Sequence, residues 1–439
     1  MSRSSTFFNR QALHLRPDPA RVVVRPFKPA TEPRDLNPTD KTRANHIVDR
    51  VLALDAATVA SQLADVLENF LGRHRNLLQT FEARAAEMEA AFAMHVPFTQ
   101  DQRRLIGAYF LHEYSFEAAA LFNPSIVSHP DQSGVPAGAR RFILSLRATG
   151  EGHVSSLTFR SGHIQADGSV SVDPPARLAA VPQVSGLPAD PNADADCVEL
   201  VFRPDEDISE RVIFPVLPSQ SNGIEDARFV EFVDAGERTF YATYTAYTGR
   251  AIRSELIETR DFVTFRMTPL KGTAARNKGM ALFPRKIGGK YAMIARQDNE
   301  NLYLIYSDDL YTWNGGQAIL RPEFPWEFVQ IGNCGSPIEL DEGWLLLTHG
   351  VGPVRRYSIG AVLLDKADPS KVLARSREPL VRPEPAEREG YVPNVVYTCG
   401  GMRHGERVIL PYAVSDTYCS VATMKIAALI ENLRDGSIL

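Results

Sequence analysis

The spacing of hydrophobic positions changes character along the chain. From about residue 46 to 120 the apolar side chains recur at helical spacing. Asp55 is placed to cap a helix whose apolar face is Val59, Leu63, Val66, Leu67 and Phe70, with Gly72 closing it. A second helix sets Leu77, Leu78, Phe81, Ala85, Met88 and Phe92 on one side. After Pro97, Thr99 followed by Gln102 reads as a capping box opening a third helix, which carries Leu105 and Tyr109. Three such helices predict a small bundle. Residues 1–45 hold many Pro and Arg and little periodicity, with Val22-Val-Val24 the sole strand candidate. They read either as an arm packed on a neighbouring subunit of a homo-oligomer or as a terminus without fixed structure.

Beyond Phe122 the helical period gives way to short strand-like runs bounded by Gly, Asp and Pro. One apolar run recurs: Arg141-Phe-Ile-Leu-Ser-Leu-Arg147, Thr239-Phe-Tyr-Ala-Thr-Tyr-Thr245, Lys290-Tyr-Ala-Met-Ile-Ala-Arg296, Gly343-Trp-Leu-Leu-Leu-Thr-His349 and Arg407-Val-Ile-Leu-Pro-Tyr-Ala413. Their second residues fall at 142, 240, 291, 344 and 408, so three of the four intervals are 51, 53 and 64 residues. The long first interval holds a Pro, Asp and Gly-rich stretch, 161–196, that reads as inserted. Most copies precede a second strand, such as Leu302–Tyr306 or Tyr357–Leu364. Repeats near 50 residues with several strands each predict a mainly β chain, a five-bladed β-propeller over residues 121–439 preceded by a helical region at 46–120. A β-sandwich with coincidental spacing is the competing architecture. Three of the runs end on Arg147, Arg296 and His349, polar groups that a propeller would gather at its central channel.

Composition narrows the function. A net charge of −5 over 439 residues lacks the strongly basic face of a general nucleic-acid binder. No stretch approaches the roughly 18 apolar residues of a membrane helix, and the N-terminus lacks the apolar core of a signal peptide. Cys197, Cys334, Cys399 and Cys419 are scattered, with no Cys-x-x-Cys pair, and read as reduced core residues. These features predict a cytoplasmic protein without a membrane or nucleic-acid partner. His112 beside Glu113 has no second pair at ligand spacing, so no metal site is expected.

Candidate chemistry concentrates at residues 221–232, Ser-Asn-Gly-Ile-Glu-Asp-Ala-Arg-Phe-Val-Glu-Phe. Asn222 and Gly223 are turn formers, so Glu225, Asp226 and Arg228 fall at a loop-to-strand junction, where a rigid scaffold can present reactive groups. A surface turn with its carboxylates paired to Arg228 would have the same spacing. Phosphate loops, HExxH pairs and nucleophile elbows are absent. What remains is Asp226 with basic groups at the ends of different repeats, Arg276, Arg296 and His349. A carboxylic acid suits protonation of a departing glycosidic oxygen, and converging cations suit a phosphate.

These residues resemble glycoside hydrolase family 130, the mannoside phosphorylases and related β-mannosidases. The similarity runs in order through Phe122-Asn-Pro-Ser125, Gly223-Ile-Glu-Asp-Ala-Arg228, Ala281-Leu-Phe-Pro-Arg-Lys-Ile287, Ser307-Asp-Asp-Leu310 with Trp313, Ile331-Gly332 with Pro337-Ile338, Gly343-Trp344 through His349-Gly350, Gly360–Asp365 with Asp368-Pro369, and Val392–Tyr397. The family's usual Glu-Asp-Pro-Arg motif carries Ala227 here in place of proline. The resemblance implies a five-bladed propeller and Asp226 as general acid, acting in family phosphorylases through a hydroxyl of the bound mannose. It implies Asn123, Ser125, Arg147, Arg228 and Asp416 around the sugar, and phosphate on Arg276, Arg296, Gln330 and His349, with Gln330 where the family normally has lysine. No cofactor is implied beyond inorganic phosphate as co-substrate.

Three functions fit this reading: a β-mannoside phosphorylase releasing mannose 1-phosphate with inversion, a β-mannosidase on the same fold, and a non-catalytic sugar-binding propeller. An inverting phosphorylase needs one acid and a set of groups to hold the phosphate, whereas a hydrolase needs a second carboxylate. Three of the four phosphate positions are retained, which favours phosphorolysis. Linkage and acceptor sugar have no readable code in the sequence.

Overall fold

The computed structural model describes residues 8–30, 41–91, 98–190 and 193–436. They divide into two compact units, a helical one of residues 20–115 with 177–180, and a β unit formed by the remainder. Phe92 and Pro97, which the helical pattern drew on, lie outside the described residues.

Among its described residues the helical unit contains four helices, α1 Arg43–Leu52, α2 Ala56–Phe70, α3 Leu77–Ala91 and α4 Gln100–Tyr109. Asp55 caps α2 by accepting from the Thr58 N–H, and Thr99 with Gln102 closes a reciprocal capping box on α4. Helix α1 is one more than the sequence pattern predicts. Its start is fixed by a second capping box, Thr42 with Asn45, whose Asn replaces the usual Glu or Gln. Ala44, Val48 and Val51 from α1 meet Val59, Met88, Leu105, Ile106 and Phe110 in the unit's core. Val22–Pro26 forms a strand, paired antiparallel with Leu111–Ser115. Glu113 is bound by Arg73 and by His74 Nε2, each at 2.7 Å. No helix among the described residues is long and apolar enough to cross a membrane.

The β unit is a series of antiparallel meanders. The first comprises Ala120–Ser128, Arg140–Thr149 and Ser155–Ile164. The second comprises Gly223–Asp234, Glu237–Tyr247, Ile252–Thr259 and Thr264–Pro269. The third runs from Ala281–Leu282 through Tyr291–Ala295 and Leu302–Ser307 to Gln317–Leu320. The fourth runs from Gln330–Asn333 through Trp344–Val351 and Tyr357–Leu364 to Val372–Arg375. The fifth holds Val396–Tyr397, Arg407–Val414 and Tyr418–Lys425, and takes its outermost strand from Phe8–Arg10, far away in sequence. A single parallel bridge, Gly223 to Ser155, joins the first two meanders into one sheet. Helix α5, Ile426–Gly436, follows directly and was not evident in the sequence pattern.

All five recurrent apolar runs fall on the second strand of a meander. They are apolar throughout, with little alternation, because these strands are buried on both faces. Leu345 and Leu347 pack with Val408, Leu410 and Met424 of the fifth meander. Their neighbours Trp344 and Leu346 pack with Phe283, Ile294 and Leu304 of the third. Similar apolar layers join the first meander to the second and the second to the third. The first and fifth meet through hydrogen bonds, Leu121 N–H to the Thr417 carbonyl at 3.0 Å and Cys399 N–H to the Pro124 carbonyl at 2.8 Å. Cys334, Cys399 and Cys419 are buried, and Cys197 is half-buried.

Phe159 lies at the centre of the layer between the first two meanders, with its ring centroid 5.8 to 6.1 Å from those of Phe229, Phe262 and Phe265. Phe159→Ala should therefore cost about 3–5 kcal/mol of stability. Urea denaturation of the two proteins measures this, and a loss under about 1 kcal/mol would show that the layer closes over the deletion.

Candidate active site

The pairing of strands Gly223–Asp234 and Glu237–Tyr247 is regular as far as Glu225–Thr245 and resumes at Arg228–Thr243, so Asp226 and Ala227 together face Tyr244. This is a β-bulge, and it sets Asp226 in the left-handed region with φ of 53°. The first meander repeats the device. Pairing breaks between Phe122 and Ser125, and Asn123 takes φ of 49°. Ser415 and Asp416 adopt φ of 46° and 47° in the turn between the two long strands of the fifth meander. Asn and Asp tolerate this conformation better than most residues. The bulges turn Asn123 and Asp226 toward each other, and Asn123 Nδ2 donates to Asp226 Oδ1 at 2.6 Å.

Two arginines clamp the acid. Arg147 sends Nη1 to Asp226 Oδ1 at 3.4 Å, Nη2 to Glu225 Oε1 at 2.8 Å and Nε to Ser155 Oγ at 2.9 Å. Its guanidinium carbon lies 4.8 Å from the centre of the Phe122 ring. Arg228 Nη2 is 3.6 Å from Asp226 Oδ2 and also donates to Tyr397 Oη at 2.8 Å. The remaining Arg228 donors bond the backbone carbonyls of Asp226 and Cys334. Lys278 Nζ reaches Glu225 Oε2 at 2.8 Å. Ser125, just past the first bulge, accepts the Phe229 N–H on its Oγ at 3.0 Å and so ties the first meander to the second.

The charges set the protonation states. Burial acts to raise the Asp226 pKa, but Arg147, Arg228, Lys278 and the Asn123 hydrogen bond outweigh it and hold it at about 2. Asp416 behaves oppositely. Burial, reinforced by Asp226 and Glu225, outweighs Arg147 and Arg355 and pushes it up to about 7.

A second cluster lies beyond Tyr397, whose ring meets that of His349 edge-on at 4.9 Å. Arg296 Nη1 is 3.0 Å from His349 Nε2. Arginine only donates, so Nε2 accepts and the ring proton sits on Nδ1. Burial, then Arg296 and Arg228, lower the His349 pKa well below its ordinary value, so the ring is neutral. Arg296 is buried and has no carboxylate within 4 Å among the described residues, whereas the buried Arg160 and Arg228 and the half-buried Arg147 do. The buried Arg211 also has none, but its Nη1 and Nη2 donate to the Phe262 and Glu206 carbonyls. Gly332 makes room for the pair, since a Cβ there would lie 2.3 Å from His349 Cε1 and 3.1 Å from Arg296 Nη1. Gln330, two residues earlier and half-buried, shares that strand face.

Asp226 and four of the expected sugar-site positions (Asn123, Arg147, Arg228 and, through its charge coupling, Asp416) are thus brought together. Arg296 and His349 also meet. Arg276 is exposed, and no hydrogen bond or ion pair joins it to either of them among the described residues. From the same loop it is Lys278 that reaches the acidic side. Sequence reasoning overlooked Lys278, Tyr397 and Asn333. Asn333 is buried with neither polar side-chain atom hydrogen-bonded. It comes close to Arg296 at Gly279, where a Cβ would lie 3.6 Å from Asn333 Oδ1 and 3.7 Å from Arg296 Cβ. Lys278 could have been suspected from its place two residues after Arg276, and Tyr397 from closing the family-like stretch Val392–Tyr397, but Asn333 carries no local signal.

An ionised carboxylate with several donors around it, next to a buried guanidinium lacking a counter-charge, is a site for a polyhydroxylated molecule and an anion. The sequence profile of glycoside hydrolase family 130, described as β-1,4-mannooligosaccharide phosphorylase, matches residues 205–435. The chain belongs to this family. It is 35% identical over 222 residues to a 1,2-β-oligomannan phosphorylase of Thermoanaerobacter sp. (strain X514), a match covering 48% of this chain and 72% of the relative. It is 32% identical over 231 residues to a β-1,2-mannobiose phosphorylase of Listeria innocua, covering 50% of this chain and 63% of the relative. In fold it is similar to the structure of β-1,2-mannobiose phosphorylase from Listeria innocua in complex with β-1,2-mannobiose, with a TM-score of 0.51 and 23% identity over 72% of this chain and 92% of that one.

The two acids make opposite contributions to stability. Asp416 has a folded pKa near 7 against an ordinary 3.8, so its contribution is complete below about pH 4 and is lost as pH rises through about 7. Asp226, with its depressed pKa, contributes above about pH 4 and loses that as pH falls toward 2. The stability of the wild type relative to Asp416→Asn should therefore fall steadily between about pH 4 and 7. Urea titrations across that window measure it, and a flat difference would mean that Asp416 has an ordinary pKa.

Proposed function

We propose that the chain is an inverting β-mannoside phosphorylase, built as a five-bladed β-propeller, that transfers a mannosyl unit to inorganic phosphate and releases mannose 1-phosphate. The propeller reading is supported by apolar layers between consecutive meanders and by the hydrogen bonds from the first to the fifth. The observation that carries the reaction is Arg296. A buried cation without a counter-charge is costly, by several kcal/mol, and a neutral His349 offers it none. A phosphate dianion would supply that charge.

In this reading the mannoside lies over Asp226, with Asn123, Arg147, Arg228 and Asp416 around the reacting sugar. Phosphate is held on the opposite face by Arg296 and His349, with Gln330 and Arg276 as the further positions suggested by family resemblance. The bond from C1 to the bridging oxygen breaks as a phosphate oxygen bonds to C1 with inversion, and the departing oxygen takes a proton that originates on Asp226. Phosphate needs no catalytic base, which fits a site where the second acid, the half-buried Asp416, is half-protonated near neutrality. Asp226 is ionised in the free protein, so it must gain a proton as substrates bind. A dianion beside Arg296 and a sugar that excludes water both push its pKa upward. The cytoplasm, where phosphate is plentiful and free thiols persist, is the compartment this reading calls for.

One observation favours hydrolysis on the same fold, the uncharged Gln330 where the family normally has lysine. Turnover of β-mannobiose against phosphate concentration separates the two. The wild type should need phosphate and yield mannose 1-phosphate, and free mannose formed at the same rate without phosphate would establish the hydrolase instead. Arg296→Ala should raise the phosphate requirement by at least tenfold with little change in mannoside binding, and Gln330→Lys should lower it. Asp226→Asn should lose roughly 10²–10⁴ in rate while still binding sugar, and retention of more than a tenth would remove Asp226 from the acid role.

A further inference from the structure

One ring surface beside the acid has no part in the reading above. The loop between the second and third strands of the first meander carries His153 with φ of 60°. Its Nδ1 lies 2.6 Å from Tyr391 Oη, on the segment that leads into the fifth meander. Both side chains are exposed, Tyr391 at 41%, although an aromatic residue at an open position ordinarily gains more from burial. Neither is loose. The Tyr391 N–H donates to Thr417 Oγ1 at 2.7 Å, directly after Asp416. Gly390 allows this approach, since a Cβ there would lie 2.3 Å from Thr417 Oγ1 and 2.7 Å from Ser415 Cβ. The Tyr391 ring also lies 6.4 Å from that of Phe122, the ring on which Arg147 stacks and which immediately precedes Asn123.

We propose that Tyr391 and His153, backed by Phe122, form the shelf that receives the sugar unit released from the bond cleaved at Asp226, and so select the acceptor. The inference rests on the mannoside reading of Asp226. An exposed aromatic face held at both ends suits the C–H face of a pyranose, and the phenol and imidazole at its edge can hydrogen-bond the hydroxyls. The shelf spans two meanders and adjoins the turn bearing Asp416, so a sugar resting on it abuts the one held by Asn123 and Arg147. A phosphate or a free mannose held by those residues would not touch it.

Calorimetric binding of mannose and of β-mannobiose to Asp226→Asn, which holds sugar without turning it over, tests this independently of the nucleophile. Adding Tyr391→Ala should weaken β-mannobiose about five- to tenfold and leave mannose unchanged. Adding Tyr391→Phe, which keeps the ring but loses the His153 contact, should fall between, and His153→Ala should match it. With Asp226 intact, Tyr391→Ala should leave the KM for phosphate unchanged. Equal weakening of both sugars, no weakening of β-mannobiose, or β-mannobiose bound no tighter than mannose before any change at Tyr391 would each overturn the shelf. If Asp226→Asn binds neither sugar, it is the mannoside reading that fails.

Discussion

An ionised carboxylate can be kept inside a β protein only if cations are buried with it, and the site is arranged around that requirement. Asp226 is nearly inaccessible, yet Arg147 and Arg228 hold it charged. The arginines in turn must be fixed, and each is fixed by a different part of the fold. Arg147 stacks on Phe122 and shares Glu225 with Lys278, while Arg228 spans from the bulge to the Cys334 carbonyl and the Tyr397 phenol. One acid thereby draws on all five meanders, because Lys278 enters just before the third, Cys334 follows the first strand of the fourth and Tyr397 lies in the fifth. A donor set assembled this way is rigid before substrate arrives, which is what makes preorganised charge effective in catalysis.

The two clusters are electrostatically unlike. Around Asp226, positive and negative groups are matched. Around Arg296 they are not, and the neighbouring imidazole is kept neutral by its burial first and by the cation it touches second. An anion arriving there meets charge that the protein has not already neutralised, and it acts on Asp226 through the same low-dielectric interior. In the phosphorylase reading, the resting ionisation of Asp226 is the state before the anion binds, and its protonation is linked to occupancy of the second cluster.

Much of this was legible in the sequence because strands buried on both faces write continuous apolar runs, and five of these marked the five second strands. The cap residues Asp55 and Thr99 likewise act locally, so their helices start where the pattern says. Helix α1 escaped because its box uses Asn45, and α5 because it follows the strand directly, with only Lys425 between two apolar stretches. The acid and its Arg228 were visible as neighbours in sequence. Lys278, Asn333 and Tyr397 were not, since they become neighbours of the site only when separate meanders converge, and no short-range spacing encodes that. The bulges at Asn123 and Asp226 show the same limit from another side. Each is a one-residue slip in register, two residues facing one, and its sequence trace is only a short polar residue where an apolar one would continue the strand.

The strand Phe8–Arg10 completes the fifth meander by pairing with Tyr418–Lys425, the last strand of the sheet. Between these partners in sequence lies the entire helical unit and every other meander. On the ribosome the helical unit can form early, as can each meander in turn. The opening segment must wait until the last strand has emerged, leaving the edge of Tyr418–Lys425 and its own backbone groups unpaired until then. The pairing of Phe8–Arg10 is thus a late step, a long-range contact whose loop entropy is met only after the intervening elements are in place. The Asp416 turn sits at the start of that same last strand. The charge arrangement around Asp226 is thus complete only once the strand Tyr418–Lys425 has been made and paired.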